Sequence, residues 1–239
     1  MKITFTALPC VPGEDLERNE AYAKGLGLPR LGEAQHPHLA VVGGGLSVKD
    51  HLDELKEWPG EIWAINGTYK FLRDNGILSA FFTMDPKPGI AKMTESVDCA
   101  VLATCCHPSA FDAAHHAHVE TIDLADYPCG PTTASTAPIV ALKRGHKQVS
   151  FFGCEGSFGA TTHAYEDRDV PLLEVSCNGQ VFRTNPQMLM QAEYLAEQIR
   201  VAPHVLIDRS GGLLGALVAD PEIDVLAASR SIYNAVMAA

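Results

Sequence analysis

From His38 onward the chain alternates short apolar runs of strand length with segments of helical period. That alternation predicts a parallel sheet covered by helices on both faces, a Rossmann-like α/β core. Residues 39–42 read as its first strand, followed by three glycines. Residues 47–56 then carry Val48, Leu52 and Leu55 at helical spacing, with Ser47 and Asp50 placed as a capping box. Further strands are expected at 62–65, 80–83, 99–104, 118–122 and 148–152. Helices are expected at 68–74, 109–115 and 133–143.

Beyond residue 152 the pattern changes. Two alternating runs, 173–177 and 180–183, flank Asn178 and Gly179, the strongest short-range hairpin signal, so a small antiparallel addition is expected there. Asn185 followed by Pro186 marks a helix start, and Met188, Ala192, Leu195 and Ile199 form one apolar stripe. A last strand at 205–207 precedes Ser210, Gly211 and Gly212, and a helical tail is expected from about Ile223. The resulting division is an irregular polar lead-in at 1–37, one Rossmann-like domain at 38–218 and a helical tail at 219–239. The lead-in is left with two roles, covering the crevice or mediating homo-oligomer formation.

Composition narrows the class. With 46% hydrophobic and 20% charged residues, the 239-residue chain has the balance of a folded globular protein. Its 29 acidic against 18 basic residues give a net charge of −11 without any basic cluster, which argues against nucleic-acid and membrane partners. The first residues lack a signal-peptide pattern, and seven scattered cysteines suit reduced thiols, so a cytoplasmic protein is expected. Cys105, Cys106 and His107 have no second ligand pair at zinc-site spacing.

In an open parallel sheet ligands bind beyond the carboxyl ends of the strands, which singles out the residues that follow each apolar run. After the first strand stand Gly43, Gly44, Gly45 and Ser47. Asn66 and Gly67 follow the second, Asp85 the third, and Glu155 and Ser157 the run at 148–152. Thr132, Thr133 and Ser135 open the helix at 133–143. Three glycines between a strand and a helix would let a phosphate reach free N–H groups; a tight turn needing positive φ is the alternative. The pattern is neither the dinucleotide fingerprint nor a P-loop, because the later glycine and any Gly-Lys-Ser/Thr are missing. Asp85, stopped by Pro86, is placed to hold Mg2+ together with substrate phosphates or to close an Asx turn. Asn66 is a nucleotide contact or a helix cap. His163, in a loop of small and hydroxylated residues, is an acid, base or phosphate partner, or an idle surface histidine. His115, His116 and His118 are expected at the opposite edge of the sheet, on the surface.

The succession VVGGGLS, EIWAINGTYKFLRDNGI, FFTMDP and TTASTAPIVALKRGHKQVSFFGCEGSF followed by THAY resembles the MptE-like 6-hydroxymethylpterin diphosphokinase family. That family also takes in the core of the flagellin-modifying motility accessory factors and is distantly similar to bacterial sialyltransferases. The likeness covers roughly residues 40–165, with TNPQMLMQAEYLAEQI and DRSGGLLGAL resembling its usual ending. It implies a nucleotide-dependent transferase using ATP with Mg2+, or a CMP-sugar as in the sialyltransferase relatives, and a small-molecule acceptor. Residues 43–47 would hold phosphates, and Asn66 and Asp85 would flank nucleotide or metal. Thr132, Thr133 and Ser135 would line the second half of the crevice, with Glu155, Ser157 and His163 on the acceptor side. Members commonly carry aspartate where Glu155 stands. Three readings follow: pyrophosphoryl transfer to a hydroxymethyl heterocycle, glycosyl transfer from a nucleotide sugar, and a catalytically idle nucleotide-binding module.

Overall fold

A computed structural model describes residues 10–220. Its centre is a seven-stranded, wholly parallel sheet in the order β5-β4-β3-β2-β1-β6-β9. The strands are β1 (His38–Val42), β2 (Glu61–Ile65), β3 (Ala80–Thr83), β4 (Cys99–Ala103), β5 (His118–Ile122), β6 (Gln148–Phe152) and β9 (Leu206–Asp208). β1, β2, β4 and β6 are each buried at four successive positions, as strands covered on both faces must be, so their apolar runs do not alternate. Trp63 and Phe82 stack at 4.7 Å in the middle of this core. The expected α/β, Rossmann-like sheet is therefore present.

Helices α2 (Leu52–Lys56), α3 (Thr68–Asp74), α4 (Ala91–Thr94), α5 (Pro108–Ala113), α6 (Thr133–Arg144), α7 (Pro186–Val201) and α8 (Gly212–Ala219) flank the sheet. α6 packs against β1, β3 and β6, and α7 packs against α6, α8 and β9. β7 (Leu173–Cys177) and β8 (Gln180–Thr184) form the separate hairpin, turning through Asn178 at φ 49° and Gly179 at φ 72°. Among the described residues no helix is long and apolar enough to cross a membrane.

Three expectations change. The lead-in at 1–37 is not irregular throughout: α1 (Gly13–Gly25) occupies part of it, packed on α5 through Tyr22 and Phe111. Pro29 and Leu31 then extend the edge of β5 by exchanging backbone hydrogen bonds with Thr121. The helix expected over 47–56 is a 310 segment (Leu46–His51) before the short α2, and no Ser47–Asp50 capping box forms. Its start is Gly45, because Ser47 is drawn to another partner. Finally, the glycine pair at 211–212 leads directly into α8, whose Leu213, Leu214 and Leu217 are buried; the tail expected from Ile223 lies outside the described residues.

Candidate functional site

β1 lies between β2 and β6, so chain connections leave it in opposite directions and a crevice opens at its carboxyl end. A cleft of about 440 Å³ is found there, a size typical of small-molecule sites. It brings together Gly43, Gly44, Gly45, Asn66 and Asp85 with Thr132 and Thr133, and Glu155, Ser157 and His163 complete that set. Ser47, Gly67 and Ser135 do not line it.

The glycine turn is bare chiefly because the protein's own groups press on it. A Cβ on Gly43 would stand 2.5 Å from the Gly153 carbonyl oxygen. On Gly44 it would meet the Tyr165 hydroxyl at 2.9 Å, and on Gly45 a Glu155 carboxylate oxygen at 2.1 Å. Glu155, only 6% exposed, accepts the Ser47 N–H at 3.0 Å and the Ser47 hydroxyl at 2.8 Å. A side-chain carboxylate thus sits where a phosphate was expected, which corrects the assignment of Ser47 to ligand phosphates. The amides of Gly43 and Gly45 are likewise taken, by the carbonyls of Phe152 and Gly153. Glu155 also adds its charge to that of Asp208 at the end of β9; burial chiefly, and Glu155 in addition, raises the Asp208 carboxyl above the ordinary carboxylate range.

The loop after β6 folds back over this turn. Ala164 N–H donates to the Gly44 carbonyl at 2.9 Å, which places Tyr165 and His163 on the cleft wall with their rings 5.4 Å apart. Gly67 is a packing glycine too, since its Cβ would meet the Tyr165 hydroxyl at 2.8 Å. His163 is half-buried, and burial, assisted by the Arg168 charge, lowers its pKa below the ordinary value, so its ring is neutral near pH 7. Its Nδ1 lies 3.2 Å from the Thr162 hydroxyl.

On the other wall α6 begins. Thr132 caps it in a reciprocal box: its hydroxyl accepts the Ser135 N–H, and the Ser135 hydroxyl oxygen accepts the Thr132 N–H. Ser135 is fully buried in that role, supporting the helix start from behind the cleft wall. The N–H groups of Thr133 and Ala134 keep no partner among the described residues, as expected for the first turn of a helix. The N-terminus of α7 borders the same cleft through Asn185, Gln187 and Met188, with Asn185 capping Met188 N–H at 2.8 Å.

Asp85 does close an Asx turn, its Oδ1 accepting Lys87 N–H at 3.0 Å, while it still faces the cleft. Among the described residues no group of three or more His, Cys, Asp or Glu side chains gathers to hold a metal. One cleft-facing carboxylate does fit the arrangement in which Mg2+ is shared between an aspartate and substrate phosphates. Asn66 does not cap α3: it adopts φ 51°, and its buried Oδ1 lacks a hydrogen-bond partner among the described residues. Cys105 and Cys106 direct their sulfurs at backbone carbonyls and His107 caps α5, so these three are structural. His115, His116 and His118 are exposed near the start of β5, at the amino edge.

Two cleft residues and one that supports the cleft from behind carried no usable sequence signal. Lys87 and Arg168 supply the cleft's Lys and Arg charges. Asn19 of α1 is fully buried and donates through Nδ2 to the Pro86 carbonyl at 3.2 Å and the Cys105 carbonyl at 3.1 Å, steadying the loop that bears Asp85. An asparagine inside a polar amphipathic helix looks like any other solvated residue until the helix is docked. Compared with models of protein families, with curated proteins and with solved structures, the chain matches none. Fold and site together define a Rossmann-like α/β protein with a polar, small-molecule-sized cleft at its switch point.

Proposed function

We propose that the protein is a nucleotide-dependent transferase that moves a pyrophosphoryl group from ATP to a small hydroxymethyl acceptor, in the manner of the diphosphokinases its sequence resembles. One observation carries this reading: two helix N-termini, those of α6 and α7, border a cleft that also holds Lys87 and Arg168. Helix starts and cations favour polyanions, and a switch-point cleft is where α/β folds hold nucleotides. Asp85 would share Mg2+ with the phosphates, and the ion would neutralise charge on them. His163, neutral and beside the glycine turn, would take the proton of the acceptor hydroxyl at Nε2 as its oxygen bonds to the β-phosphorus and AMP leaves.

The same neutral histidine supports a second reading, glycosyl transfer from a nucleotide sugar to an acceptor hydroxyl. Titrating the full chain with ATP and Mg2+, and separately with CMP- and UDP-sugars, separates the two. Stabilisation by ATP with Mg2+, lost in Asp85→Asn, is the result expected. Stabilisation by a nucleotide sugar alone favours the second reading, and nucleotide binding without turnover of any hydroxymethyl heterocycle indicates an idle binding module. A protein that binds no nucleotide refutes the proposal.

A further inference from the structure

Gln191 of α7 lines the cleft although it is only 7% exposed. A buried side-chain amide is tied down by its partners, and here they fix its orientation. The Ser135 hydroxyl donates to the Thr132 carbonyl oxygen, and the Thr132 hydroxyl accepts the Ser135 N–H. The Ser135 hydroxyl oxygen, 3.0 Å away, already accepts the Thr132 N–H, so the one Thr132 hydroxyl proton goes to Gln191 Oε1, at 2.9 Å. That contact turns the acceptor end of the amide toward Thr132 and is the one side-chain hydrogen bond Gln191 makes among the described residues, so Nε2, a two-proton donor, is left to the cleft. The adjoining first turn of α6 contributes the unpaired N–H groups of Thr133 and Ala134 to the same cleft.

We infer that Thr133 N, Ala134 N and Gln191 Nε2 form a donor cluster that receives a phosphoryl group, and that Gln191 is a specificity-determining residue of the cleft. This rests on the nucleotide reading above and assigns its phosphate contact. A corner of two backbone N–H groups and a side-chain amide N–H pair suits a fully deprotonated oxyanion, whose oxygens accept all of them. The start of α6 adds its positive dipole end, whereas the glycine turn presents the Glu155 carboxylate. Phosphoryl oxygens are thereby directed to the α6 side of the cleft.

The test is calorimetric titration of the full chain with inorganic pyrophosphate, and separately with ATP and Mg2+. Gln191→Met keeps the length and removes the donor. Gln191→Glu keeps the acceptor toward Thr132 and places a negative charge in the corner. Wild type should bind pyrophosphate, Gln191→Met about tenfold or more weakly, and Gln191→Glu not measurably, because a hydrogen bond to a charged group is at stake. Thermal melting establishes that each variant is folded; should Gln191→Met fail to fold, Gln191→Asn, which retains the amide and loses reach, replaces it with the same expectation. Unchanged affinities in folded variants, with ATP still bound by wild type, overturn the corner and leave the nucleotide reading standing. A wild type that binds neither pyrophosphate nor ATP overturns both.

Discussion

Two element starts face one cleft and differ in what fills them. At the end of β1 the chain passes three glycines into a 310 segment, and the Glu155 carboxylate takes the Ser47 N–H and hydroxyl from within the protein while the carbonyls of Phe152 and Gly153 take the amides of Gly43 and Gly45. At the start of α6 a threonine-serine box satisfies two amides and leaves two others directed at no protein group. The more conspicuous sequence, Gly43-Gly44-Gly45, belongs to the filled place. Its missing side chains make room for Gly153, for Tyr165 and His163, and for Glu155 in turn. Missing Cβ atoms report close approach, and the approaching group can be another part of the same chain as readily as a ligand.

The comparison can be broken most forcefully at Gly43. An added methyl there meets the Gly153 carbonyl oxygen at 2.5 Å, and backbone on both sides has little room to yield. Gly43→Ala should cost about 3 kcal/mol or more in chemical denaturation; a loss below half of that would mean that the two turns are not locked together. Gly45→Ala presses instead on a side chain, that of Glu155. It should cost about 2 kcal/mol alone and much less in a Glu155→Ala background. A double-mutant cycle without that coupling would show that Glu155 does not fill the turn.

Smaller effects sharpen the other half. Thr132→Ala removes the cap of α6 and the proton that orients Gln191, for a stability loss of about 1 kcal/mol. Weaker pyrophosphate binding should accompany it, and calorimetry that finds full affinity would separate the cap from the ligand corner. The smallest effect is a slope with pH. Burial lowers the pKa of His163, and that of His146, from the ordinary 6.5. As pH falls the unfolded chain protonates first, so the stability these neutral rings contribute is complete above about pH 6.5 and declines below it toward their folded values. Urea unfolding across that range should show a positive slope of stability with pH, reduced in His163→Gln and separately in His146→Gln. A wild-type slope in both variants would remove these histidines as its source.

Much of the fold was legible before any tertiary contact was known. Apolar runs of four or five residues bounded by glycine, proline or aspartate correspond to six of the seven sheet strands within a residue or so, and the run at 205–207 appears one position later as β9 (Leu206–Asp208). Asn178-Gly179 marked its hairpin because both residues adopt positive φ. The rule that ligands gather past the strand ends placed most of the expected residues on one cleft, including Asp85, Thr133 and His163, which come from different parts of the chain. α1 was not legible, since its only fully buried polar residue is an asparagine whose partners lie 67 and 86 positions away. Nor was the use of Ser47, which satisfies the pattern of a capping box locally and is captured by a carboxylate 108 positions on.

By itself, then, the sequence determined the class of architecture, the order of its strands and helices along the chain, and the edge of the sheet where chemistry collects. These depend on hydrophobic period and on turn residues, both of which act over a few neighbours. Only the tertiary structure decided which of two element starts a carboxylate of the protein fills and that α1 braces the Asp85 loop. It also decided which end of the Gln191 amide faces the cleft. Each of those outcomes is a competition among hydrogen-bonding groups far apart in the chain, and the winner is set by which of them the packed core brings within three ångströms or so.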